Sequence, residues 1–317
     1  MKGWIVLIGI LCCTNIIAQQ EKKKIFNKEI SLVSDDDAYL LQRKDKYYTA
    51  GTFLNLSIAK EKNGSKKIDN YELGQMIYTP LKPINTLNNI IDRPFCGYLY
   101  IKFSETFFTK KDAMLNYGIA LGTLGNASAA EGTQLFVHKL FGLYHFTGWQ
   151  YQIGNSAELN GNFNYAQTLL SDDKENPFFK LVPAIQINLG TIFTNAKIGN
   201  YFCIGVFENN NNSALFNSGI NQKTNSSKKN YELFFYFYPQ IILQGYNATV
   251  QGPLFGNSNQ QAVTSFINNI VYQQTLGFVY AQKRWSTKLE FVYQTKECTT
   301  QILTQHYGSI KLGYRFN

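Results

Sequence analysis

The chain has 317 residues, of which 44% are hydrophobic, and a formal net charge of +9, so it is long enough for one large or two medium domains. After residue 18 no run of about 18 apolar residues occurs, which argues against a membrane protein built from helices. Three cysteines follow residue 18, and their wide spacing excludes a disulfide framework or a paired-cysteine metal site. Tyr (21) and Phe (24) are abundant, which suits the aromatic girdles of a membrane-embedded barrel.

The first residues, MKGWIVLIGILCCTNIIAQQ, have the pattern of a secretory signal peptide. A basic start precedes an apolar run from Trp4 to Cys13, and the small residue Ala18 follows. We therefore expect residues 1–18 to be a cleaved signal peptide and residues 19–317 to form a single domain.

Apolar and polar residues alternate with a period of two along most of the remaining chain, which is the pattern of β-strands. In GTFLNLSIAK, Leu54, Leu56 and Ile58 alternate with polar or small residues, as expected when one side faces lipid and the other a polar lumen. The pattern predicts about twelve strands, and a closed antiparallel barrel needs an even number. In chain order they lie near 30–34, 51–60, 71–79, 98–103, 114–122, 158–169, 181–190, 196–207, 231–243, 273–282, 286–295 and 308–316.

The connections between these strands are polar and rich in Asn, Gly and Lys. The clearest are KEKNGSKK at 60–67 and ENNNNSALFNSGINQKTNSSKKN at 208–230. Solvated loops are the simplest interpretation of both segments.

One segment, AAEGTQLFVHKLFG at 129–142, breaks the alternation. Helical spacing places Glu131, Gln134 and His138 on one face. The opposite face carries apolar residues, namely Phe136, Val137 and Leu140. We predict a short amphipathic helix beside the barrel wall, with His138 facing a polar surface.

The acidic cluster Asp35, Asp36 and Asp37 is the first candidate site, since the familiar motifs of soluble enzymes do not occur in the chain. Three adjacent carboxylates repel one another unless a cation neutralises them, and their hard oxygen atoms favour Ca²⁺. Strand alternation points Asp35 and Asp37 one way and Asp36 the other, so at most two serve one site unless the chain bends. A solvated acidic turn is the alternative.

His138 and Arg93 complete the candidate set. A neutral His138 imidazole could take a proton from water, while a bound Ca²⁺ could stabilise the oxyanion formed during ester hydrolysis. A purely structural histidine is the alternative. Arg93 precedes Pro94 at the entrance to a strand, and its guanidinium suits recognition of phosphate, although a turn contact with Asp92 fits equally well.

Four blocks follow one another along the chain: DDDAYLLQRKDKYYTAG (35–51), DRPFCGYLY (92–100), GNASAAEGTQLFVHKLFGLYHFTGWQYQIGN (125–155), and NATVQG with HYGSIKLGYRF near the C-terminus. Together they resemble the outer-membrane lipid A 3′-O-deacylase family, also called the LpxR family. The first block is similar to the family's Asn-Asp pair and Asp-x-Tyr-Tyr-Thr-x-Gly motif, and the second to its Asp-Arg-Pro-Tyr-Ala-Gly motif. The third looks like the block that supplies the catalytic histidine.

The resemblance implies an all-β protein, a closed antiparallel transmembrane barrel of twelve strands in the bacterial outer membrane, with a short helix near the active site. It implies Ca²⁺ as cofactor and hydrolysis of the ester that holds the 3′-linked acyloxyacyl chain of lipid A. The expected partners are lipid A or lipopolysaccharide as substrate and the surrounding outer-membrane lipids. We expect a monomer that does not bind nucleic acid.

By motif position, the resemblance makes His138 the general base, Asp37 the acidic residue of the pair and Thr49 the hydroxyl residue. The family's Asn falls on Asp36, which adds a negative charge and removes a hydrogen-bond donor. Asp35, Asp36 and Asp37 are the expected Ca²⁺ ligands. Arg93 is the expected contact for a lipid A phosphate.

Two other functions remain open at the level of the sequence. A non-catalytic outer-membrane barrel, either a pore or a surface-binding protein, fits the long Asn-rich connections. An outer-membrane phospholipase would also use Ca²⁺, but it needs a nucleophilic Ser beside its His and Asn, and no such block is present in the sequence.

Overall fold

The wall of the molecule is one antiparallel sheet that closes on itself. The computed structural model describes residues 26–40, 45–62, 65–81, 91–143, 147–172, 177–221, 229–256 and 259–317, so the predicted signal peptide lies outside the described residues. The strands are β1 (Lys28–Asp36), β2 (Tyr47–Lys62), β3 (Ser65–Thr79), β4 (Cys96–Phe108), β5 (Ala113–Leu124), β6 (Ser156–Gln167), β7 (Leu170–Ser171), β8 (Phe179–Gly190), β9 (Phe193–Val206), β10 (Tyr231–Asn247), β11 (Ile270–Gln282), β12 (Trp285–Gln294) and β13 (Gln305–Phe316).

Closure of the sheet uses twelve of these strands. Neighbours in sequence pair in order, β13 returns to β1, and β6 pairs directly with β8. The two-residue β7 only extends one edge of β8. Twelve predicted strands therefore coincide with the twelve strands of the wall, and the predicted closed barrel is confirmed. β7 was missed because two residues are too short to show a period of two.

The outer surface of the wall carries a row of exposed aliphatic side chains. Seven of them lie opposite one another on consecutive strands: Leu312, Leu32, Leu54, Leu73, Ile101, Leu121 and Leu159. Residues of the opposite parity, such as Ser57, Ser104 and Asn160, are buried inside the barrel. This register places apolar side chains on the outside and polar ones in the lumen, which is the arrangement of a barrel in lipid.

The barrel has two ends with different contents. Lys28 pairs with Phe316 at one end, called here the terminus end, and Asp36 pairs with Gly308 at the other, called the site end. The helices α1 (Ala130–Phe141) and α2 (Ala248–Gln251) both lie in connections at the site end. Among the described residues, every helix is too short or too polar to cross a membrane.

The predicted amphipathic helix is confirmed as α1, which packs on β3 and β4. Gln134 and His138 are buried, whereas Phe136, Leu140 and Phe141 are exposed. Gly142 ends the helix with φ of 65°, a left-handed conformation that glycine adopts without strain. Gly132, which lowers helix propensity, has open space around it and leaves the helix unbroken.

The described part of the connection from β9 to β10 is not the solvated loop that its Asn-rich sequence predicts, and residues 222–228 of that predicted loop lie outside the described residues. Residues 207–221, called here the plug, fold into the lumen at the terminus end. Phe207, Leu215 and Ile220 are almost completely buried and pack in one cluster with inward-facing side chains of the wall. Short turns are the norm at one end of such barrels, so a long connection that folds inward needs specific bonds to hold it.

Buried charged side chains of the wall supply those bonds. Lys180 Nζ donates to the Glu208 carbonyl oxygen and to Asn210 Oδ1, both at 3.1 Å. The Glu232 carboxylate accepts the Ala214 N–H at 2.7 Å. Three further lysines donate to the plug: Lys66 to Ser218, Lys288 to Leu215 and Lys311 to Asn217. The plug thus pairs wall charges that would otherwise face an empty lumen.

We expect the unmodified protein to give no ion conductance in planar bilayers, because the plug occupies the lumen. Replacing residues 209–220 with a short Gly-Ser linker should give stable conductance, and Lys180→Met, which removes two bonds to the plug, should give intermittent openings. Lys60→Ala, which removes an exposed cation outside the plug, is the control and should stay silent. Steady conductance from the unmodified barrel would contradict the role of the plug.

Candidate active site

Asp36 and Asp37 lie at the site end, where the chain leaves β1. Asp36 Oδ1 accepts the Ala38 N–H at 2.7 Å, an Asx-type turn that bends the chain out of the strand. Asp37 then opens a single 3₁₀ turn, Asp37–Leu40, and its Oδ2 accepts the Lys46 N–H at 2.9 Å. The bend that two carboxylates need to serve one site is therefore present.

Asp37 is buried at a place with excess negative charge. Only 1% of the residue is exposed. Burial, together with the negative charges of Asp45 and Asp36, raises the pKa of the Asp37 carboxyl to about 8. Lys46 offsets part of this negative charge, and a hard cation beside the carboxylate would favour its ionised form further.

His138 is held by a carboxylate that the sequence analysis did not select. His138 Nε2 lies 2.9 Å from Asp45 Oδ2. The same oxygen accepts the Gln134 Nε2–H at 2.6 Å, and Gln134 Oε1 accepts the Trp149 indole N–H at 2.9 Å. Gln134 and His138 reach one carboxylate because residues four apart lie on the same helix face.

Asp45 is thus a candidate site residue that sequence reasoning missed. It begins the Asp-x-Tyr-Tyr-Thr-x-Gly block, so the signal was present in the motif itself. A carboxylate that bonds one imidazole nitrogen fixes the ring's orientation and tautomer. Asp36 interacts electrostatically with both Asp45 and His138, so these side chains form one cluster with Asp37.

Thr49 lies at a β-bulge near the start of β2. The pairing with β3 shifts register between Tyr48 and Ala50, which leaves Thr49 out of the ladder. Its buried hydroxyl lies 2.6 Å from the Thr79 hydroxyl. A bulge of this kind turns the side chain of the extra residue away from its direction in a regular strand. The catalytic role of Thr49 stays a prediction.

Asp35 is separated from Asp36 and Asp37 by the alternation of the strand. Its Oδ2 accepts the Tyr48 hydroxyl at 2.8 Å, and it lines a cavity of about 440 Å³ inside the barrel together with Tyr78, Tyr98 and Tyr307. The expectation that Asp35 is a third ligand of the same metal has no support from this arrangement, because its carboxylate faces the lumen.

Arg93 is fully buried, which leaves no surface for a lipid phosphate to approach. Its Nε donates to Glu297 Oε1 at 2.6 Å, and its NH2 group donates to Thr249 Oγ1 at 2.9 Å. The guanidinium also stacks 4.1 Å from the Tyr78 ring centroid. The expected phosphate contact therefore has no support here, and Arg93 instead bonds the β3–β4 connection to two others at the site end.

We expect Arg93→Met to lose about 3–5 kcal/mol of unfolding free energy, because it leaves the Glu297 charge buried without its partner. The double variant Arg93→Met/Glu297→Leu should recover much of this loss. Thermal unfolding in detergent, followed by heat-modifiable electrophoretic mobility, measures both variants. A stable Arg93→Met protein with a raised KM only for phosphorylated substrate would instead restore the phosphate role.

The donor chemistry of the cluster fits a hard cation. Among the residues that the structure describes, no group of three His, Cys, Asp or Glu is close enough together to hold a metal ion. Asp36 and Asp37 nevertheless offer two carboxylates at a place where several negative charges lie close together, and Ca²⁺ commonly completes about six to eight ligands with carbonyl, water and other oxygen atoms. The residues therefore fit a Ca²⁺ site with two protein carboxylates, completed by oxygen atoms of other kinds.

Comparison with known proteins settles the family. The chain matches the family model of "Outer membrane protein LpxR" over residues 5–316. This chain belongs to the LpxR family. Among curated proteins none matches it.

Solved structures agree with the fold of this LpxR-family chain. It is similar to LpxR from Salmonella typhimurium with a TM-score of 0.74 and 18% identity, over 91% of this chain and 100% of that one. The β domain of the Bordetella autotransporter BrkA gives a TM-score of 0.49 at 9% identity, over 92% and 99% of the two chains. The family match and the similarity to LpxR from Salmonella typhimurium make this chain a twelve-stranded outer-membrane β-barrel with a short helix at one end.

Proposed function

We propose that this LpxR-family barrel is a Ca²⁺-dependent hydrolase that removes the 3′-linked acyloxyacyl chain of lipid A by cleaving its ester. The observation that carries the proposal is the Asp45–His138 pair, which lies in one cluster with Asp36 and Asp37. Ester hydrolysis needs a general base that activates water and a positive charge that stabilises the oxyanion, and a histidine held by a carboxylate next to a cation site can supply both.

In this proposal His138 activates the attacking water. Asp45 orients the ring through its contact with Nε2, and the neutral imidazole takes a proton from water as the water oxygen attacks the ester carbonyl. Asp45 also stabilises the imidazolium that forms, and the imidazolium then returns the proton to the leaving alkoxide. The ester becomes a free carboxylic acid and a free hydroxyl group.

Asp36 and Asp37 would hold the cation. When bound, Ca²⁺ supplies positive charge that stabilises the oxyanion of the tetrahedral intermediate. Gln134 keeps Asp45 in place from the helix side, and Trp149 keeps Gln134 in place in turn.

The surface around His138 suits a lipid substrate. Phe136, Leu140 and Phe141 form the exposed face of α1, and α1 packs on β3 and β4, which carry Leu73 and Ile101 of the apolar row. The acyl chains can therefore lie along this apolar surface. The polar headgroup would then lie at the site end, beside the side of α1 that carries Gln134 and His138.

Lipid A mass spectrometry after expression in a Gram-negative host that lacks a deacylase tests the proposal. We expect a product that has lost one acyloxyacyl unit. An unchanged acyl count with the folded barrel present in the outer membrane would overturn it. Release of fatty acid from phospholipid but not from lipid A would favour a phospholipase, and the plug in the lumen argues against the pore.

A further inference from the structure

A second cavity of about 490 Å³ lies at the site end, between the first turn of α1 and residues 149–155. Five amide side chains and one carboxylate, Glu131, line it, and Trp149 forms part of its floor. Among the described residues that line it, none is a lysine or an arginine. The cavity, called here the amide groove, is separate from the cluster around His138 but shares α1 and Trp149 with it.

Hydrogen bonds within the protein fix the walls of the amide groove before any ligand arrives. Asn259 Nδ2 donates to the carbonyl oxygens of Gln150 and Gln152, at 2.9 and 3.0 Å. Asn155 Oδ1 accepts the Ala127 N–H at 3.1 Å on the opposite side. A groove with walls fixed in this way loses little freedom when it binds a ligand.

One polar atom of the amide groove has no hydrogen-bond partner among the residues that the structure describes. Gln152 is 8% exposed, and its Oε1 is a buried acceptor to which no donor is bonded. Leaving such a group unsatisfied costs about 1–3 kcal/mol, so the position favours a ligand that brings a hydroxyl or N–H group.

We propose that the amide groove binds the uncharged sugar part of the glycolipid substrate; this inference rests on the proposed function. Amide side chains both donate and accept, which matches the hydroxyl groups of a sugar, and a hydroxyl would satisfy Gln152 Oε1. Phosphate does not fit, since the lining offers no cation and Glu131 would repel it. The sugars can be the glucosamine disaccharide itself or sugars attached beyond it.

The spacing along α1 relates the amide groove to the cluster. Glu131 precedes His138 by seven residues, which at 1.5 Å per residue is about 10 Å along the helix, the length of about two sugar rings. The Trp149 indole bonds Gln134, which bonds Asp45 beside His138. A sugar held in the groove therefore positions the ester near His138.

Binding of a sugar without ester tests the inference independently of catalysis. The probe is an N-acetylglucosamine disaccharide that carries neither long acyl chains nor phosphates, followed by tryptophan fluorescence of the full-length barrel. We expect saturable binding, and a Kd raised about tenfold or more in Gln152→Leu, which is about 1.4 kcal/mol. Gln282→Leu at the terminus end is the matched control and should bind like the unmodified protein. No saturable binding, or an unchanged Kd in Gln152→Leu, would overturn the inference.

Kinetics separates this inference from the proposed function. Gln152→Leu should raise KM for glycolipid with kcat nearly unchanged. A rise for both lipid A and full lipopolysaccharide assigns the groove to the disaccharide, whereas a rise only for lipopolysaccharide assigns it to the attached sugars. If the protein hydrolyses no lipid A but still binds the sugar, and Gln152→Leu weakens that binding, the hydrolase proposal fails and the sugar subsite stands. If hydrolysis is normal and Gln152→Leu changes neither KM nor sugar binding, the subsite fails alone.

Discussion

His138→Gln is expected to lower kcat for lipid A hydrolysis by about 10³-fold, within the range that general bases contribute. Glutamine can still donate to Asp45, so the side chain keeps its place, but an amide does not take a proton from water at neutral pH. Initial rates of purified barrel in detergent micelles, with the acyl product measured by mass spectrometry, give the ratio.

Asp45→Asn is the companion variant and should lower kcat by up to about 10⁴-fold, the loss expected when the carboxylate partner of a catalytic histidine becomes an amide. It keeps the shape of the side chain but removes the charge that stabilises the imidazolium. Heat-modifiable mobility must be normal in both variants. Loss of folding in His138→Gln would make the histidine structural, and a normal rate would remove it from the mechanism.

Removal of Ca²⁺ by a chelator should abolish hydrolysis, and the three neighbouring aspartates should differ in their effect on its restoration. Asp37→Asn should raise the half-activating Ca²⁺ concentration about 100-fold or more, since it removes one of the two carboxylates proposed to hold the cation. Asp36→Asn keeps the oxygen that accepts the Ala38 N–H, and it should raise the half-activating Ca²⁺ concentration only about tenfold.

Asp35→Asn is the matched control, because its carboxylate faces the lumen and bonds Tyr48. It should leave the Ca²⁺ titration unchanged. A Ca²⁺ titration of initial rate, repeated with Mg²⁺, measures all three variants. Equal responses of Asp35→Asn and Asp37→Asn would contradict the division of the cluster, and full activity in chelator would remove the metal from the proposal.

Local patterns predicted the wall and the helix because each depends on a short-range period. Leu54, Leu56 and Ile58 alternate because one side of β2 meets lipid, and Gln134 and His138 recur at helical spacing because one face of α1 is buried. The same alternation already implied that Asp35 and Asp36 point to opposite sides of the wall.

Contacts between distant parts of the chain could not be predicted in this way. Arg93 looked available for phosphate because nothing in the neighbouring sequence shows that it forms an ion pair with Glu297. The plug looked like a solvated loop because its polar residues are satisfied by lysines and a glutamate on remote strands, including Lys180 and Glu232. Asp45 belonged to a recognised block, but its bond to His138 depends on how α1 docks.

The plug also has a consequence for the rigidity of the wall. Its bonds reach Lys66 on β3, Lys180 on β8, Glu232 on β10, Lys288 on β12 and Lys311 on β13, so the strands it joins lie all around the circumference. A barrel without the segment would lose these bonds, including those of the buried Lys180 and Glu232, and would be less stable. Because most of these strands are not neighbours in the sheet, the segment braces the closed wall from within.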